Sequence, residues 1–296
     1  MKPDQALILA ALVWGGLRTG LTALESEPVS RPGIRNVQFV TDAPAIVPGR
    51  PFTVGLRLEP MPEHHTYWRG PGIVGVATRI DWTLPEGFKA GPLLWPPPSH
   101  VLMAGIAANG FKKPVLLLTE ITPPEQIDAK EFVLAGRVSW MACAVSCNPG
   151  VADLSLTLPV AVEGATVKGD AAIAEAFAAA REASPKAAPA DWRFEARLAA
   201  PDRIELIATV PGITEAQAKS VEFFCDDMQV DSDEPQIVEV LDASATKFKL
   251  SLSRPEFAPK QPVKLSGVLH CPGGWPGTGS AFVELSAPWP GGTFPE

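Results

Sequence analysis

Asp153-Leu154-Ser155-Leu156-Thr157-Leu158 alternates polar and apolar residues without a break, and a period of two buries one face only as a β-strand. The same period, less clean, recurs at 37–40, 52–58, 78–84 and 115–119, and at 132–140, where Leu134, Val138 and Trp140 fall at even spacing. Turn residues separate the runs, as Pro48-Gly49 does between the first two. With 32 prolines and 25 glycines the apolar runs stay short, which favours many strands with irregular connections over long helices. Sequential strands on short turns predict an antiparallel sandwich, each sheet buried on one face and wet on the other.

The pattern breaks once. Ile173, Phe177 and Ala180 fall at helical spacing, Asp170 stands where an N-cap is needed, and Pro185 follows the end, so 170–183 reads as one alanine-rich helix. The small, proline-bearing stretch 184–190 then reads as a linker between domains. Strand-like runs resume at 203–207, 221–224, 237–241, 247–252, 263–269 and 281–285, again the spacing of a sandwich. A chain of 296 residues suits two domains of ~150 each. The expected organisation is all-β, with one antiparallel β-sandwich over 30–165, a short helix and linker over 166–190, and a second sandwich over 191–290. No residue-level repeat relates the halves, and the tail beyond Pro288 is expected to be loose.

At the N-terminus Lys2 precedes an apolar core over 6–17, with Ala23 as a cleavage point, so 1–27 reads as a signal peptide. The apolar run is shorter than the ~20 residues of a spanning helix. The expected location is exported and periplasmic, the protein soluble after signal removal or tethered by its N-terminus, in surroundings where disulfides persist. A net charge of -8 leaves no basic footprint for a phosphate backbone, so nucleic acid is not an expected partner. There is no Ser/His/Asp order, Walker loop or dinucleotide fingerprint, which disfavours a hydrolase or nucleotide enzyme.

Chemistry concentrates in Trp140-Met141-Ala142-Cys143-Ala144-Val145-Ser146-Cys147-Asn148-Pro149-Gly150. Fully extended, four residue steps separate two Cα atoms by roughly 13 Å, whereas a disulfide needs about 4.4–6.8 Å. The segment must therefore turn, and Asn148-Pro149-Gly150 is the expected turn in a loop between strands. A redox pair, a metal pair and a structural bridge all fit Cys143 and Cys147, although closing so short a loop gains little chain entropy. Exposure and local positive charge decide which cysteine attacks. Cys225 and Cys271 each end a candidate strand and are expected to form a structural disulfide across one end of the second sandwich. His64, His65, His100 and His270, with Met103 and Met141, show no recognisable ligand spacing, so no metal site is expected, although such side chains suit copper(I).

Three ordered passages carry a resemblance. They are Pro48-Gly49 followed by His65-Thr66-Tyr67-Trp68-Arg69-Gly70-Pro71-Gly72 and Gly75; Trp82-Thr83-Leu84-Pro85-Glu86-Gly87-Phe88 with Trp95-Pro96-Pro97-Pro98; and 140–150 itself. In this combination the stretch from Val37 to Pro159 resembles the N-terminal periplasmic domain of the thiol:disulfide interchange protein DsbD family. Phe223-Phe224 followed by Pro235-Gln236 is more weakly similar to the region that succeeds this domain in longer relatives. The resemblance implies immunoglobulin-like sandwiches and a thiol–disulfide oxidoreductase of the protein-disulfide reductase type, with an association with cytochrome c biogenesis and no cofactor. By that resemblance the reactive pair is Cys143 and Cys147, Trp140 and Pro149 frame its loop, and His65, Tyr67 and Trp68 are neighbours from another connection.

Where relatives often have Tyr-Gly-Tyr this chain has Asn109-Gly110-Phe111. The family's membrane and thioredoxin-like domains are not in this sequence, so the expected electron donor is a separate membrane protein. The expected acceptors are exported thioredoxin-like or other disulfide-bearing proteins. Two other readings stand beside this one: a copper(I)-binding or delivery module using the same cysteines, and a non-catalytic interaction protein in which they brace a loop.

Overall fold

The computed structural model describes residues 24–162, 169–244, 246–260 and 262–289; the expected leader up to Ala23 and the tail from 290 lie outside the described residues. The first half contains β1 (Val29–Arg31), β2 (Ile34–Thr41), β3 (Phe52–Pro60), β4 (His65–Tyr67), β5 (Arg79–Thr83), β6 (Lys89–Leu94), β7 (Ser99–Met103), β8 (Ile106–Phe111), β9 (Val115–Thr122), β10 (Glu131–Cys143) and β11 (Cys147–Pro159). One sheet has the order β1-β2-β3-β9-β6, the other β11-β10-β4-β8-β7, with β5 also paired to β10. Alternate residues of β11, from Ala152 through Leu154 and Leu156 to Leu158, face inward, and Phe39, Leu56, Leu117, Val138 and Trp140 complete the core. Thus the alternation in the sequence becomes the inner face of a sandwich. Leu24 to Ser26 already belong to the fold: Ser26 is buried and its amide donates to the Phe39 carbonyl at 2.8 Å. The expected leader boundary at 27 therefore overlaps folded chain.

The helix α1 (Ala171–Ala183) starts at Asp170, whose carboxylate accepts from the amides of Ala172 and Ile173, the usual N-cap bonding. Ile173 and Phe177 bury their side chains against Val40 and Leu118, and Arg181 reaches Asp42 at 2.7 Å. The helix is therefore docked on the first sandwich rather than spanning between domains. The stretch read as a linker also differs from expectation. It contains β12 (Lys186–Ala187), which runs parallel to a strand near the C-terminal end of the chain, Lys186 opposite Val283. Backbone hydrogen bonding there does not depend on large side chains, so composition gave no sign of it.

The second half continues with β13 (Arg193–Ala200), β14 (Arg203–Thr209), the short α2 (Glu215–Lys219), β15 (Glu222–Cys225), β16 (Ile237–Val240), β17 (Lys247–Ser253), β18 (Lys264–His270) and β19 (Phe282–Pro288). Its sheets have the orders β12-β19-β18-β15 and β13-β14-β17-β16. Apart from β12 with β19, the pairings between these strands are antiparallel, and the fold is mostly strand and immunoglobulin-like.

The halves share a packed seam. Phe224 and Val268 from the second half join the first core, Phe224 lying edge-on to Trp68 with ring centroids 6.5 Å apart. Arg69 Nε donates to Asp226 at 2.6 Å, and His100 Nε2 bonds to Glu222 Oε1. The Glu222 carboxylate raises the His100 pKa, against an opposing effect of burial. Burial pushes Glu222 up, but hydrogen bonds from His100 and His270 outweigh it and hold its pKa at about 2. The His100 contribution to stability is complete below its unfolded pKa of 6.5 and is lost as pH rises through the raised folded value. The Glu222 contribution is complete above 4.5 and is lost as pH falls toward about 2. The seam is thus tightest between these two unfolded values. Thermal unfolding should show a falling midpoint as pH rises from about 6 to about 8, and His100→Gln should flatten that slope; an unchanged slope would remove this pair from the account.

Candidate functional site

The β10–β11 hairpin pairs without interruption from Glu131 opposite Pro159 to Cys143 opposite Cys147. Only Ala144-Val145-Ser146 turns, closed by the Ala144 amide donating to the Ser146 carbonyl at 3.0 Å. The turn is therefore not Asn148-Pro149-Gly150, which are strand residues of β11. Proline is tolerated there because β11 is an edge strand. Gly150 is required opposite Trp140: a Cβ on it would lie 2.3 Å from Trp140 Cε2. The indole thus lies against the strand backbone just below the turn.

The two cysteines are joined as a disulfide, Cα atoms 4.1 Å apart. Their environments are opposite. Cys143 is 0% exposed, whereas Cys147 is exposed and Val145 at the turn tip is 90% exposed. Residues opposite one another in adjacent strands share a face, and Cys143 lies opposite both Cys147 on β11 and His65 on β4. The outer face of the sheet therefore carries the row Cys147, Cys143, His65. Tyr67, two residues along β4, shares that face; its ring meets His65 edge-on at 5.0 Å.

Cys143 is covered by a small apolar cluster of Tyr67, Val101 and Ala108, with Val74, Met103 and Met141 packed against it. Gly75, at φ +95°, lies on the Tyr67 ring, where a Cβ would come within 2.1 Å of Cε1. Tyr67 Oη and His65 Nε2 are buried and make no hydrogen bond among the described residues. Burial pushes the Tyr67 hydroxyl up to about 12. Burial first, then the nearby Lys112 and His64, lowers the His65 pKa, which favours the neutral imidazole beside Cys143.

The residues expected around the pair are thus partly reassigned. His65 and Tyr67 share its face. Trp68 instead belongs to the core beneath the sheet, its Nε1 donating to the Pro96 carbonyl at 3.1 Å, because successive strand residues point to opposite faces. Asn109, at the departure from the family's aromatic pattern, ties down the next segment through Nδ2 to the Gly70 carbonyl at 3.0 Å. The covering residues Val74, Val101 and Ala108 carried no sequence signal beyond ordinary apolar character.

Cys225 and Cys271 are not bonded; both are free and buried. Cys225 lies opposite Gly267, four residues along β18 from Cys271, or roughly 13 Å at strand rise, too far for a bridge. Cys225 Sγ instead donates to Asp227 Oδ1 at 3.2 Å. Among the described residues no group of three or more His, Cys, Asp or Glu is placed to hold a metal ion.

The family described as Thiol:disulfide interchange protein DsbD, N-terminal, matches residues 36–159, from within β2 to the end of β11. Residues 36–159 are a DsbD N-terminal-like domain. The crystal structure of the N-terminal periplasmic domain of ScsB from Proteus mirabilis covers 90% of this chain and 98% of its own, at 18% identity and a TM-score of 0.61. That likeness is one of fold, and it extends beyond the DsbD N-terminal-like domain into the second sandwich. Collagen adhesin (CNA) from S. aureus, 6% identical over 90% of this chain and 93% of its own, has a TM-score of 0.17. The Enterococcus faecalis MSCRAMM ACE, 9% identical over 87% and 95%, has one of 0.15. No curated protein matches the chain.

Proposed function

We propose that this chain is an exported thiol–disulfide exchange module in which Cys147 meets the partner and Cys143 resolves the intermediate. The observation that carries this reading is the asymmetry of the hairpin disulfide, one sulfur reachable and the other sealed. In the reduced protein the Cys147 thiolate attacks one sulfur of a partner disulfide. That bond breaks, the departing partner thiolate takes a proton, and a mixed disulfide forms. Cys143 then gives up its proton and attacks Cys147 Sγ, expelling the second partner sulfur and restoring the Cys143–Cys147 bond. Two electrons pass to the partner. His65, neutral and opposite Cys143 in register, is placed to accept the Cys143 proton.

Recharging reverses these steps. The donor in this reading is a separate membrane reductase, and the acceptors are exported thioredoxin-like or other disulfide-bearing proteins. The leader-like N-terminus supports export, and no described helix is long and apolar enough to cross a membrane. Trp140 beneath the turn and Pro149 on the edge strand would hold the hairpin in one geometry through both redox states. A purely bracing bridge is less favoured, since even a 15-residue loop gains only about 3 kcal/mol from closure and this one is shorter.

Equilibration in thiol buffers, with alkylated cysteines counted by mass, tests the reading. A midpoint of about −180 to −270 mV is expected, as for exchange proteins, whereas one below about −300 mV would mark a structural bridge. The copper(I) reading draws on the Met103 and Met141 thioethers packed beside Cys143. Tight stoichiometric copper(I) binding requiring both thiols, with slow exchange, would favour it instead.

A further inference from the structure

The cover over Cys143 is built from two segments of the first sandwich that are both fastened to the second. Val74 and Gly75 belong to the connection after β4, and Val101, Met103 and Ala108 to the β7–β8 hairpin. A single hydroxyl joins them: Ser232 Oγ accepts from the Ile73 amide at 3.1 Å and donates to the Ala107 carbonyl at 2.8 Å. Its neighbour Asp233 accepts from the Ala107 amide through Oδ1 at 2.8 Å. Ser232 and Asp233 lie between β15 and β16, held near the seam by Arg69 on Asp226. The fit is close. A Cβ on Gly72 would lie 2.1 Å from Ser232 Oγ, and one on Gly70 1.9 Å from the Cys225 carbonyl. The cavity bounded by Gly72, Asn109, Cys225 and Ser232 measures only about 10 Å³, room for no more than a single water.

We infer that the second sandwich is a latch for the redox site, with Ser232 and Asp233 as positioning residues that hold both covering segments closed over Cys143. Neither residue touches a reacting sulfur. Each acts through backbone groups of the cover, so the second half sets how readily reagents reach the inner cysteine while the outer one stays open. In exchange this keeps an incoming thiol on Cys147 and reserves Cys143 for resolution, a consequence that rests on the exchange reading. The latch itself does not rest on it.

The test uses the full chain, reduced, with iodoacetamide as probe and each cysteine followed by mass. Cys271 is a buried thiol of the second core, away from the latch, and reports any general opening. Ser232→Ala and Asp233→Ala are expected to speed Cys143 modification roughly tenfold, the scale of losing one or two hydrogen bonds, with Cys147 and Cys271 unchanged. Asp233→Asn keeps an oxygen for the Ala107 amide and should behave like the parent. The inference is overturned if the Ser232→Ala/Asp233→Ala double variant leaves Cys143 as protected as before. It is equally overturned if Cys271 reacts faster together with Cys143, since these residues would then only stabilise the fold. Failure of the exchange reading would appear in the thiol-buffer midpoint and leave this readout intact.

Discussion

Cys143→Ala is expected to turn the protein into a trap. With Cys147 exposed at the hairpin end and no resolving sulfur beside it, attack on a partner disulfide stops at the mixed disulfide, which persists until an external thiol releases it. Turnover should fall essentially to the uncatalysed level while a covalent adduct accumulates. Cys147→Ala should also abolish turnover but form no adduct, because the remaining sulfur of Cys143 is wholly buried and a sealed thiol is inert. Non-reducing electrophoresis with an oxidised thioredoxin-like substrate, followed by mass mapping of the adduct, reads the difference directly. Adducts of equal yield from both variants would show that burial does not set the order of attack.

Trp68→Ala is expected to cost about 3–5 kcal/mol, the range for removing a large aromatic side chain from a core. Trp68 is 0% exposed, bonds Pro96 through its indole, meets Phe224 from the second half and carries the Arg69 guanidinium 4.7 Å above its ring. Its loss opens a void in the first core and removes packing from the seam at the same time. Urea unfolding should show the midpoint dropping in proportion, with Trp68→Phe losing less because it keeps part of the ring contact. A loss below about 1 kcal/mol would mean that the site collapses around the void or that the seam contributes little.

Elements whose signal is local could be read from the residues. The alternation at 153–158 became the inner face of β11, and Asp170 with Ile173 and Phe177 became a capped helix packed on one side. The failures share a cause. β4 is only three residues long, too short for a period, yet it places His65 against Cys143. The resemblance makes His65, Tyr67 and Trp68 alike neighbours of the pair, whereas the pleat sends Trp68 to the opposite face, into the core. Asn148-Pro149-Gly150 has turn composition, but pairing with β10 holds it extended as the edge strand. Cys225 and Cys271 each end a strand-like run, and the β15–β18 register alone keeps them apart.

That the chain is built of strands, that one capped helix interrupts them and that a close cysteine pair follows Trp140 are all legible in the residues. These follow from side-chain periodicity, backbone preference and thiol chemistry, which act over a few residues. Which sulfur meets solvent, which residues cover the other, and that a serine 89 positions after Cys143, Ser232, bridges both parts of the cover follow from the folded packing instead. Those properties depend on register between strands distant in sequence and on the packing of one sandwich against another. Both are set by the sum of many long-range contacts, so no single stretch of residues carries them.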